Sequence, residues 1–130
     1  MDRRLPDEEL AAFELEDLLA RCMGNIEFAE RILARFQERF ESDLAELEQG
    51  LAAQNTQHLA GVAHRLKGAS ANVGAPGLQI QATEIEDLAR ARCVSEIPMR
   101  LDRLRGEYAR FVRSVSSLDR SAGAPSSGSG

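Results

Sequence analysis

Seven apolar residues, Ala29, Leu33, Phe36, Phe40, Leu44, Leu47 and Leu51, recur at steps of three and four through a stretch without proline. That period gathers them on one side of a helix, whereas a strand would split them between two faces. A helix this long must bury its stripe against other helices. Three more stripes supply the partners: Leu59, Val62, Leu66, Ala69 and Val73; Leu78, Ala82, Ile85, Ala89 and Arg92; and Ile97, Leu101, Leu104, Tyr108, Phe111, Val115 and Leu118. A shorter one, Leu15, Leu18, Leu19 and Cys22, stops near Gly24. No strand-like alternation competes. The expected fold is therefore all-α, an antiparallel up-down four-helix bundle with a short extra N-terminal helix.

Turn and cap residues set the boundaries. Pro6 and Asp7 open the short helix, with Glu8 and Glu9 in its first turn, where the helix dipole favours acids. Asn25 is the expected N-cap of the long helix, which ends near Ala53 before the polar Gln54-Asn55-Thr56. The next helix runs from Thr56 to Asn72. Gly74-Ala75-Pro76-Gly77 then forms a tight helical hairpin, because glycine tolerates positive φ and a residue before proline avoids the helical region. The following helix closes across Ala91 to Ser95, and the last begins near Ser95 with Pro98 in its first turn. Residues 1–120 read as one domain. From Ser121 the composition collapses to Ala, Gly, Pro and Ser, so 121–130 read as a flexible tail or linker.

With 130 residues, 43% hydrophobic and 28% charged, the chain suits one domain with a modest core. Its net charge of −5 and the lack of a dense Lys/Arg run exclude a general nucleic-acid binder. No apolar run approaches the roughly 18 residues of a membrane span, and Met1 to Glu9 lacks the apolar core of a signal peptide. A cytoplasmic monomer is expected. Cys22 and Cys93 lack zinc-site spacing and read as reduced, packed thiols.

The third stripe has an unusual reverse side. At about 100° per residue from Leu59, the stripe averages near 320° and His64 falls near 140°, pointing away from the core. Its outer-face neighbours are Ala60, Gly61, Lys67, Gly68 and Ala71, of which only Lys67 is large. Each interior glycine costs a helix roughly 1 kcal/mol relative to alanine. A surface cleared for close approach to the imidazole, with Lys67 beside it to meet negative charge, accounts for that cost. A merely solvated histidine is the alternative.

In a hairpin centred near residue 75, position 64 stands level with Glu86. A carboxylate accepting the Nδ1 proton would fix the tautomer and leave Nε2 as the nucleophile. Glu86 and Arg90 could equally form a simple i,i+4 pair, and both readings stand. His58 lies off the His64 face, so no two-histidine metal site forms. Glu38, Glu41, Asp43, Glu46 and Glu48 read as a solvated face. No P-loop, nucleotide fingerprint or Ser/His/Asp arrangement is legible, so no means of binding ATP is visible.

The run Ala63-His64-Arg65-Leu66-Lys67-Gly68-Ala69-Ser70-Ala71-Asn72-Val73-Gly74-Ala75 resembles the histidine phosphotransfer (HPt) domain of multistep two-component signalling. Leu78, Ala82 and Ile85-Glu86 continue the resemblance, which spans roughly Phe13 to Leu118. It implies the same four-helix fold, with His64 as the phosphoryl acceptor and Lys67 and Gly68 attending the phosphate. Many relay modules have glutamine where this chain has Glu86, whereas chemotaxis-type kinase domains have glutamate bonded to the histidine. The implied role is a relay between response-regulator receiver domains, fed by a sensor histidine kinase, with neither ATP binding nor kinase activity of its own. Receivers would dock on Ala60, Gly61, Arg65, Gly68, Ala71 and Arg90. No cofactor or metal is expected on this chain, the required Mg²⁺ belonging to the receiver. Two other readings are an HPt domain excised from a larger hybrid or chemotaxis-type kinase, and a non-catalytic receiver-docking module.

Overall fold

The computed structural model describes the backbone over residues 15–129 and side-chain environments over 16–116. Within them every regular element is helical: α1 (Leu15–Arg21), α2 (Ile26–Ala52), α3 (Thr56–Asn72), α4 (Pro76–Arg90), a 3₁₀ turn (Val94–Glu96) and α5 (Ile97–Ser129). The expected bundle with its short leading helix is what forms, although Pro6 and Asp7, its expected start, lie outside the described residues.

The caps act as their residue types dictate. The Asn25 and Asn55 side chains accept from the amides of Phe28 and His58 and cap α2 and α3. At the end of α3 the Gly74 amide donates to Ala71 and the Ala75 amide to Ser70, with Gly74 at φ 72°. These paired bonds close the last carbonyls around a left-handed residue. α2 and α4 end the same way on Gln54 (φ 54°) and Arg92 (φ 62°). Arg92 was expected in the apolar stripe of α4. Instead it is the left-handed residue that ends the helix, and it is exposed.

The stripes meet in one core. Leu33, Phe40, Leu47, Leu59, Leu66, Leu78, Ile85, Leu104 and Phe111 are buried in it. Phe40 stacks on Tyr108 at 4.0 Å and Phe36 meets Phe111 edge-on at 5.1 Å, joining α2 to α5. Burial first, then the Glu41 charge, pushes the Tyr108 hydroxyl up to about 12. Gly50 sits where α2 crosses α3: a Cβ there would stand 3.1 Å from His58 Cδ2 and 3.2 Å from Leu59 Cγ. α3 and α4 share the most extensive contact of the bundle. That hairpin carries the site.

The backbone of α5 continues as helix through Ser129, where composition argued for a linker from Ser121. A helix already nucleated on its packed half can lengthen without burying apolar surface, because each further residue with an N–H closes one backbone hydrogen bond; Pro125 alone supplies none.

Candidate functional site

His64 stands on the outer side of α3 with its side chain 64% exposed. One turn away on either side, Gly61 and Gly68 leave the surface open: a Cβ at either position would meet nothing within 4 Å. Neither glycine is required by packing.

Behind the ring the hairpin register delivers Glu86 from α4. Its carboxylate is 6% exposed, and its Oε2 lies 3.0 Å from His64 Nδ1. Of the two readings left open by the sequence, both contacts are made at once. Arg90 donates to the same oxygen from Nη2 at 2.7 Å and from Nε at 3.1 Å. The Lys67 ammonium lies 2.9 Å from Oε1. Burial alone would raise the Glu86 carboxyl, but hydrogen bonds from Lys67, Arg90 and His64 hold it down to about 2, from an ordinary 4.5. At neutral pH Glu86 is thus an ionised, acceptor-only group. The neutral imidazole must donate its Nδ1 proton to it, which leaves the lone pair on Nε2, facing solvent.

The charge around the ring follows from the same contacts. Two permanent cations, Lys67 and Arg90, share one buried carboxylate. A surplus positive charge therefore sits beside an exposed nucleophilic nitrogen, an environment suited to a dianionic group. Lys67 is not the free cation its sequence position implied, because in the resting protein Glu86 holds it.

Other expected contacts are redistributed. Gly61 and Gly68 are exposed and Ala71 is half-buried. Ala60, expected on the exposed face, is buried. It lies on the side of α3 that turns toward α4 and, with Gly61, Ala89 and Arg90, borders a polar recess of about 590 Å³ beside the site. Arg65 reaches the other way and donates to Asp43 Oδ1 of α2 at 2.7 Å, with Glu46 at 3.4 Å. The Asp43 bond raises the already high pKa of its guanidinium. Asp43 was expected on a solvated face but is buried. Its signal was present in the sequence: a hairpin centred near residue 54 sets 43 level with 65, as one centred near 75 sets 64 level with 86. Of the remaining acids, Glu46 faces His58, Glu48 faces Arg105 and Glu41 faces Tyr108.

Comparison with known proteins bears on the family and the fold. The family model described as "Hpt domain" matches residues 31–114. The crystal structure of histidine-containing phosphotransfer protein B (HptB) from Pseudomonas aeruginosa PAO1 superposes with a TM-score of 0.74 at 26% identity, covering 84% of this chain and 96% of that one. Among curated proteins, none matches this sequence significantly.

Proposed function

The chain belongs to the Hpt domain family, whose members are phosphotransfer intermediates of phosphorelays rather than kinases, and on that premise we propose that His64 is its phosphoryl acceptor. The observation that carries the proposal is the ionised Glu86 bonded to Nδ1, with Nε2 left exposed between two bare glycines.

The Nε2 lone pair attacks the phosphorus of a phospho-aspartate on a receiver domain. The bond from phosphorus to the aspartate oxygen breaks, and its electron pair leaves with the carboxylate. Nδ1 keeps its proton throughout, so no separate acid or base is consumed, and Glu86 offsets the charge the ring acquires. In the second half-reaction the aspartate of another receiver attacks, the P–N bond breaks, and its pair returns to Nε2. Charge spread over the equatorial oxygens is the main demand of such a transfer. Lys67 is placed to exchange its contact with Glu86 for one with the phosphoryl group, while Arg90 keeps the carboxylate neutralised. The Mg²⁺ of the transfer belongs to the receiver, because Glu86, the carboxylate at the ring, is already engaged by Lys67 and Arg90. A sensor histidine kinase would load the first receiver.

Incubation with a phosphorylated receiver tests the assignment. The wild type should acquire acid-labile, base-stable phosphate and His64→Gln should not; labelling of His64→Gln would refute it.

A further inference from the structure

The described arginines of this acidic chain fall into those that hold a carboxylate and those that hold none, Arg92, Arg103 and Arg113 being scattered examples of the second kind. Arg21, Arg65, Arg90, Arg100, Arg105 and Arg110 are each paired with a carboxylate. Arg31, Arg35 and Arg39, at one-turn steps along α2, are exposed and form no ion pair with another described residue. They edge a groove of about 530 Å³ between α2 and α3, with Ile32, Phe36 and Val73 along its apolar floor. The Arg31 guanidinium lies 5.9 Å from the Phe28 ring centroid at one end, and Arg65 borders the other. Three unpaired like charges in a row repel one another, and their solvation resists burial against anything but anions.

The groove is continuous with the phosphotransfer face. On the α3 wheel the groove residues Arg65 and Ala69 fall at about 240° and 280° and His64 at about 140°, with Gly61 and Gly68 between them at about 200° and 180°. Gly61 and Gly68 put no side chain on the surface between His64 and the groove edge at Arg65.

We propose that this groove is the specificity surface of the docking face, and that it selects receivers whose docking helix carries carboxylates at one-turn spacing beside an apolar row. The proposal rests on the phosphotransfer reading. The apolar row fills the floor and the carboxylates meet Arg31, Arg35 and Arg39, so the charges govern encounter and partner choice and leave the chemistry at Nε2 untouched.

The test uses the full chain carrying Arg35→Glu and Arg39→Glu, both exposed and outside the phosphotransfer cluster, with a phosphorylated receiver of the host that transfers to wild type. The second-order transfer rate should fall about 10- to 100-fold and lose its salt dependence, while the rate at saturating receiver stays unchanged. A receiver with lysines in place of its docking-helix carboxylates should recover transfer to the variant. Unchanged rate and salt dependence would overturn the proposal, as would a wild-type dimer that the two substitutions dissociate, since a second copy would then be the occupant. Phosphoramidate, a small donor that needs no docking, separates the two readings. If it labels wild type and variant alike while transfer is insensitive to the charges, the groove proposal alone fails. If neither donor labels wild type, the phosphotransfer reading fails and the groove proposal with it.

Discussion

Nδ1 of His64 lies 3.0 Å from Oε2 of Glu86, an oxygen that also accepts from Arg90. The carboxylate therefore anchors the ring, pairs with two cations and fixes which nitrogen is free. The variants at this position separate those tasks. In Glu86→Gln the amide oxygen can still accept from Nδ1, so the tautomer is kept and transfer should fall by no more than about tenfold, whereas Glu86→Ala should cost about 10- to 100-fold. Phosphorylation kinetics from one receiver measure both, and equal losses would show that charge rather than ring orientation is at work.

Acid stability reads the same carboxylate. Its folded pKa of about 2 lies below the ordinary 4.5, so Glu86 contributes stability that is fully present above pH 4.5 and lost as pH falls toward 2. Urea melts across that window should show wild type losing more stability than Glu86→Gln, which has no proton to gain there.

Gly61 and Gly68 set function against stability. With open space at both Cβ positions, alanine should stabilise α3 by roughly 0.5–1 kcal/mol at each site. On the proposed function the added methyl groups flank the nitrogen a partner would reach, so transfer should slow while the thermal midpoint rises. A lowered midpoint in either variant would contradict the packing described.

Gly50 should behave in the opposite way. Alanine there would press on His58 and Leu59, and overpacking of this kind costs about 1–3 kcal/mol. Denaturant melts of Gly50→Ala and Gly61→Ala, two glycine-to-alanine changes within one bundle, should shift in opposite directions.

The Asp43–Arg65 pair is asymmetric, with a buried carboxylate and a half-exposed guanidinium. Arg65→Ala strands the buried charge and should cost about 3–5 kcal/mol. Asp43→Ala leaves Arg65 with water and Glu46, and should cost about 1–3 kcal/mol. Comparing the two melts checks the order.

The helices were legible because their information is local. Apolar spacing and the Asn25, Asn55 and Gly74 signals placed α2 and α3 at their observed bounds. Arg92 misled because a left-handed helix end usually announces itself with glycine, and here an arginine fills that position. Ala60 and Asp43 misled because a single-helix wheel locates the core side but not the neighbours that close over its flanks.

Sequence by itself determined four amphipathic helices, their order and turns, and a histidine turned outward beside two glycines, since each follows from a period or a residue type along one segment. Only the tertiary structure decided that one carboxylate would serve His64, Lys67 and Arg90 together, that Arg65 would be spent on Asp43, and that three α2 arginines would be left unpaired beside the site. Those outcomes depend on the rotation and register of one helix against another, which the summed packing of the whole core sets and no single stripe encodes.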